Sequence, residues 1–275
     1  MKKIIQVDNV IKKYKHFQLG PITTQITEGK IIGITGYHGS GKTAFLHILL
    51  GLSKLNSGNI KCETNHMGVV LEDTFFPSVY NANDIHFIME GIYTTWDASL
   101  FFQMLEKHRI AIDTPIEKMT LSMQRKLQII TAISHHPDIL ILDDVTHKLD
   151  PITKKEIIHL LREFIKSHAH TVLYSTRTVS DLHQIADEII FLDHGMIIFQ
   201  GQEQEILKTY AVLRCHEQEL SAVSKEDYRY FSKHKHQYKL LVKDMNHMKK
   251  KYPQFNITSI TLDEFMTFIG RGEHV

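Results

Sequence analysis

The chain has 275 residues, 43% of them hydrophobic and 23% charged, enough for one large domain with or without a smaller appendage. A formal net charge of +1 argues against nucleic acid or an anionic membrane surface as the main partner. Cys62 and Cys215 form no redox or zinc pattern, the 19 histidines show no metal-ligand spacing, and no apolar run approaches the ~20 residues that span a bilayer.

The first eight residues turn polar too early for a signal peptide, and the cysteine usage suits a reducing cytosol. Residues 4–10 and 18–26 carry alternating apolar positions and read as strands. Residues 30–35 form a nearly continuous apolar run suited to a strand buried on both faces. Residues 43–50 then read as a helix, with Gly51 near its C-cap. From about residue 72 to 136 the periodicity is helical, with segments at 83–91, 97–108 and 121–135 and breaks at Pro77 and Pro115. A buried strand at 139–142, a helix at 153–167, a strand at 171–175, a short helix at 181–186 and a hairpin-like 188–200 follow. This alternation predicts an α/β fold, a mostly parallel sheet wrapped by helices. Residues 202–275 read as a small separate α+β lobe, with strands at 210–215, 237–242 and 255–260 and helices at 224–233, 245–251 and 262–269. That lobe carries no chemical motif.

The spacing Gly-x-x-x-x-Gly-Lys-Thr from Gly36 to Thr43 is the strongest chemical signal. Glycines let consecutive backbone amides turn inward onto phosphate oxygens, and the following helix presents its positive dipole end to them. Lys42 is placed to reach the β- and γ-phosphates, and Thr43 to offer its hydroxyl to magnesium. Asp143, closing the run at 139–142, fits the acidic residue that holds the magnesium from the next strand over.

In this order the motifs resemble the ATP-binding cassette (ABC) ATPases over roughly residues 1–200. The resemblance implies a P-loop NTPase core of ABC type over residues 1–201, with an inserted helical subdomain at about 73–136. It leaves 202–275 as a small C-terminal accessory domain. ATP and Mg2+ are the implied cofactors. Tyr14 stands where the family places an aromatic that stacks on adenine, and Gly36, Tyr37, His38, Gly39, Ser40, Gly41, Lys42 and Thr43 form the Walker A loop. Asp143-Asp144 resembles the Walker B segment, residues 147–151 the D-loop, and Arg177 ends the switch segment as the candidate γ-phosphate sensor. Glu72 occupies the Q-loop position, so Thr43, Asp143 and Glu72 are the residues turned toward metal.

Three positions depart from the family pattern. Asp144 replaces the glutamate that polarises the attacking water, and it is one methylene shorter. A misplaced general base costs ~10²–10⁴ in rate. Arg177 replaces the switch histidine, though an arginine still donates to phosphate. Without a gap the signature falls on Met119-Thr120-Leu121-Ser122-Met123, and a one-residue deletion would instead align Leu121-Ser122 and Gln124. Either register lacks the paired glycines and leaves Thr120 or Ser122 as the remaining γ-phosphate donors.

The resemblance implies two further partners: a second ABC ATPase chain, the same or different, and membrane-spanning permease subunits that hold this chain on the inner face of the membrane. Residues 91–97 and the C-terminal lobe look most similar to ATPases of Gram-positive peptide and lantibiotic exporters and of exporters for phenol-soluble-modulin-type toxins. Trp96 suits either helix packing or a membrane-subunit contact. Two readings stand: a transport ATPase with attenuated hydrolysis, and a regulatory module in which ATP occupancy alone switches an interaction. The departures also suit the degenerate half of an asymmetric heterodimer whose partner supplies the active residues. A soluble ABC protein of DNA repair or ribosomes would carry two cassettes or a long coiled coil, and neither is present.

Overall fold

The computed structural model describes residues 2–72, 76–167, 170–271 and 273–274. The chain opens with strands β1 (Lys3–Lys13), β2 (Gln18–Thr27) and β3 (Ile31–Thr35), then helix α1 (Lys42–Leu49) and strands β4 (Ser57–Cys62) and β5 (Met67–Val70). Helices α2 (Ala82–Ile92), α3 (Ala98–Lys107) and α4 (Leu121–Ile133) precede β6 (Ile139–Asp143), α5 (Pro151–Ser167), β7 (Thr171–Ser175) and α6 (Val179–Ile185). The hairpin β8 (Glu188–Asp193) and β9 (Met196–Gly201) leads to α7 (Glu203–Thr209) and β10 (Tyr210–His216). The chain continues through β11 (Tyr228–His234), β12 (Gln237–Lys243), α8 (Met245–Lys251), β13 (Asn256–Ser259), α9 (Leu262–Arg271) and β14 (Glu273–His274).

The central sheet has the order β5-β6-β7-β3-β8-β9, parallel except for the β8–β9 hairpin. Every residue of β3, β6 and β7 is buried. Successive strand side chains point to opposite faces, so both faces of this sheet must be covered. Ile139 and Ile141 pack with Phe45 of α1 and with the inner side of a second, antiparallel sheet, β2-β1-β4. Leu140 and Leu142 face the other way, into the cluster that holds Leu160 and Leu161 of α5.

The helical insertion is held by its caps. Asn81 and Asp84 form a reciprocal capping box at α2, Asp97 accepts from the Leu100 amide at 2.8 Å to cap α3, and Thr120 accepts from the Met123 amide at 3.2 Å to cap α4. Trp96 is a packing anchor: its ring centroid lies 5.0 Å from that of Phe101, and its indole N–H donates to His86 Nδ1 at 2.9 Å. The boundary expected at residue 73 lies outside the described residues.

The C-terminal residues build a five-stranded antiparallel sheet, β13-β10-β12-β11-β14. One face is closed by α8, with Leu213, Leu240, Val242 and Met248 buried together. From the other face Val212, Tyr230 and Leu241 join the main core, along with Leu262, Phe265, Met266 and Phe268 of α9. This lobe therefore has a core of its own on one side and shares the large core on the other.

Residues 224–233, expected as a helix, are not one. Ser224 does accept from the Glu226 amide, at 3.4 Å, but the cap starts only a single 3-10 turn, Lys225–Asp227. From Tyr228 the segment pairs with β12 as β11, and an irregularity in register between Tyr228 and Tyr230 lets Tyr228 enter the small C-terminal core and Tyr230 the main core.

Candidate functional site

The parallel strands end on one side, and that edge assembles the site. The loop after β3 leads into α1, β6 ends in Asp143, and β7 leads to Arg177. Asp143 is not on the strand next to β3: β7 lies between β3 and β6. The order places the Arg177 segment between the glycine loop and the two aspartates.

Backbone conformation explains the glycines. Gly36 has φ 148°, and a Cβ there would stand 2.1 Å from the Leu192 carbonyl oxygen. Gly41, the N-cap of α1, has φ 104°, and a Cβ there would meet the Phe17 ring at 2.8 Å. Lys42 folds back into its own loop, donating to the carbonyls of Gly36 at 2.7 Å and Tyr37 at 2.8 Å. Its Nζ also lies 3.4 Å from the Ser40 hydroxyl. Burial, and next the Arg177 guanidinium, lower the Lys42 pKa to about 8, while Asp144 and Asp143 act in the opposite direction.

A cavity of about 520 Å³ opens over this loop. It is lined by His38, Gly39, Gly41, Lys42 and Thr43 on one side and by Glu72, Asp143, Asp144 and Arg177 on the other. Gly36, Tyr37 and Ser40 stand behind it, Gly36 and Tyr37 lining a neighbouring cavity of about 510 Å³. The aromatic rings at the cavity are those of Phe17, His16 and His38. Tyr14, expected against adenine, is not among its lining residues, and its ring lies 6.0 Å from that of Phe17. No periodicity marks Phe17 in advance, because its place depends on the bare backbone of Gly41.

Asp144 is buried with φ 51°, a left-handed conformation that an aspartate tolerates. Its Oδ2 lies 2.8 Å from Arg177 Nε, close enough for an ion pair but without an aligned hydrogen bond. The same guanidinium reaches Glu72 Oε2 at 3.4 Å. Burial raises the Asp144 pKa, and Arg177 opposes that shift. Arg125 of α4, which the motifs do not mark, donates to the Glu72 backbone carbonyl at 2.5 Å and fixes where that segment runs.

Behind the cavity, Asp181 of α6 gathers a buried polar cluster. Its Oδ2 accepts from Thr146 at 2.8 Å and lies 3.3 Å from the Tyr174 hydroxyl and 3.5 Å from that of Thr176. Lys154 reaches both its oxygens at 3.3 Å. Thr120 and Ser122 are placed elsewhere. Thr120 caps α4, and the Ser122 hydroxyl accepts from Thr153 at 3.1 Å and lies 3.5 Å from Asp150.

A glycine loop capping a helix, a lysine folded into it and an acidic strand end across the cavity together have the form expected of a nucleotide-phosphate site. The family model described as ABC transporter matches residues 19–147. Over those residues the chain resembles the ATPase domain of ABC transporters. Among its relatives is an uncharacterised ABC transporter ATP-binding protein, YdbJ, of Bacillus subtilis strain 168, 26% identical over 82% of this chain and 79% of that protein. The lantibiotic transport ATP-binding protein SrtF of Streptococcus pyogenes is 28% identical over 72% of this chain and 91% of that protein. The structure of cbiO1 from Clostridium perfringens superposes with a TM-score of 0.65 at 22% identity, over 75% of this chain and 91% of that one. The P-loop NTPase fold of the ABC ATPase cassettes is the fold of this chain.

Proposed function

We propose that this chain is the ATP-binding subunit of an ABC transporter, coupling ATP binding and slow hydrolysis to peptide export through separate membrane subunits. The observation that carries this reading is the cavity that faces Lys42 and Thr43 with Asp143, Asp144 and Arg177. Lys42 and the loop amides bind the phosphates, and Thr43 and Asp143, with Glu72 beside them, hold Mg2+. The ion supplies charge neutralisation on the phosphate oxygens. Among the described residues no three His, Cys, Asp or Glu side chains gather into a metal cage. In this reading the nucleotide itself therefore completes the magnesium site. Asp144 is the base that orients the attacking water, and its short, ion-paired carboxylate supports a slow step.

No helix among the described residues is long and apolar enough to cross a membrane, so transport in this reading needs other chains. The helical insertion supports a docking role. Phe87 and Ile92 of α2 are 69% and 63% exposed, and an apolar cleft of about 190 Å³ lies between β5, α2 and α4, lined by Val69, Met89 and Tyr93. A second ABC ATPase chain, identical or different, would complete each nucleotide site, with Thr120 and Ser122 turned to the partner's phosphate. The chain then sits in the cytoplasm against the inner membrane face, and residues 202–275 are its accessory domain. Peptide export draws support from the likeness to SrtF, a lantibiotic transport protein.

The test is ATP affinity and steady-state hydrolysis of the purified chain, alone and with a partner ATPase, using Lys42→Ala as control. Firm binding with turnover only beside the partner supports the reading, and brisk turnover by the lone chain refutes slow hydrolysis. The Asp144–Arg177 ion pair also favours a second reading, a regulatory module with negligible turnover. Asp144→Glu separates the two: a large gain in turnover marks an attenuated ATPase, and no gain marks the module.

A further inference from the structure

One guanidinium serves two carboxylates at the mouth of the phosphate cavity. Arg177 meets Asp144 at 2.8 Å and Glu72 at 3.4 Å. The two pairs differ in kind. The Asp144 side chain is 5% exposed and that of Glu72 46%, so water competes with the arginine only at Glu72. The hydrogen bonding is sparse at both: Nη2 donates to Glu72 Oε2 at the long distance of 3.4 Å, and Asp144 Oδ2 faces Nε with no aligned hydrogen bond. Arginine is best satisfied by a planar or tetrahedral oxyanion that takes two parallel N–H donors. The terminal phosphate of a nucleoside triphosphate offers that, with more charge than either carboxylate. Lys42 and Thr43 line the same cavity, so a phosphate held by the loop arrives within reach of Arg177.

We propose that Arg177 is a partner-exchanging clamp, held by Asp144 and Glu72 until a nucleoside triphosphate arrives and taken over by its terminal phosphate. The inference rests on the ATP-binding reading above and adds the regulation of that site. The two carboxylates act as built-in competitors of the γ-phosphate. Losing the arginine leaves the Asp144 carboxylate with lone pairs open to a hydrogen bond from water. Readiness of the water site is thereby tied to triphosphate occupancy. A diphosphate, with nothing to offer the arginine, leaves the clamp closed.

The experiment compares dissociation constants for ATP and ADP, measured by displacement of a fluorescent nucleotide with excess EDTA so that metal binding by the carboxylates does not enter. Asp144→Asn and, separately, the exposed Glu72→Gln free the arginine from one competitor. Either is expected to raise the preference for ATP over ADP, by about tenfold for Asp144→Asn and less for Glu72→Gln. In an Arg177→Ala background the same substitutions are expected to leave the preference unchanged. An equal rise with and without Arg177 would mean that removing negative charge alone is responsible, and it overturns the clamp. Failure of the wild-type chain to bind either nucleotide, with Lys42→Ala indistinguishable from it, overturns the ATP-binding reading and the clamp with it.

Discussion

The ring of Phe265 in α9 meets that of Phe191 in β8 edge-on, with centroids 5.4 Å apart and planes at 88°. Tyr210 of β10 leans on the same Phe265 ring at 4.9 Å, so one side chain joins the central sheet, the C-terminal sheet and the last long helix. Phe265→Ala is expected to cost about 3–5 kcal/mol. Because the core is shared, a single unfolding transition should shift as a whole in denaturant. Two transitions, only one of them displaced, would show that residues 202–275 fold independently.

The glycine loop allows a sharper comparison. Gly36→Ala combines φ 148° with a Cβ 2.1 Å from a backbone oxygen, whereas Gly39, with φ 80°, has no heavy atom within 4 Å of where its Cβ would be. Urea denaturation should give a loss of about 3 kcal/mol or more for Gly36→Ala and about 1 kcal/mol for Gly39→Ala. Equal losses would mean that the Leu192 carbonyl yields freely.

Lys42→Ala removes donors from two loop carbonyls and the cation from the cavity over the glycine loop. Stability should fall by about 1 kcal/mol and ATP affinity by at least about tenfold. Calorimetric titration and thermal melting of the same sample read both.

His135 gives a pH signature. Its ring stacks on Tyr93 at 4.0 Å and 7°, and burial, with His66 and His136 adding to it, lowers its pKa to about 4. A pKa lowered from 6.5 means that the folded state binds a proton less readily than the unfolded one. The neutral ring's contribution is therefore complete above about pH 6.5 and is lost as pH falls toward 4. His135→Phe should flatten the stability profile across that window, measured by urea denaturation at pH 5 and pH 7.5. An unchanged slope would assign the acid sensitivity to other groups.

Sequence patterns marked the elements whose signal is local. β3, the loop and α1 follow from an apolar run, fixed glycine spacing and helical periodicity, and α2 to α4 follow from helical periodicity broken by prolines. β4 escaped because none of its six residues is buried, and β5 because it has only four residues. β11 was masked by Ser224 and the charged residues after it, which imitate a helix start. At the site, Lys42, Thr43 and Asp143 were legible in the motifs. Phe17 and Arg125 were not, since each acquires its place by touching a backbone distant in sequence: Phe17 at Gly41, Arg125 at Glu72.

The carboxylate of Asp181 binds hydroxyls from both sides of the site: Thr146, two residues after Asp144, and Thr176, one residue before Arg177. The stretch that bears the aspartates and the stretch that bears the arginine are thus moored to one buried post. If either swings away alone, the buried carboxylate loses one hydroxyl donor while Tyr174 and Lys154 still hold it, a cost of about 1 kcal/mol. A partner that pulls on the loop after β6 is therefore expected to tug the Arg177 stretch through this one shared carboxylate.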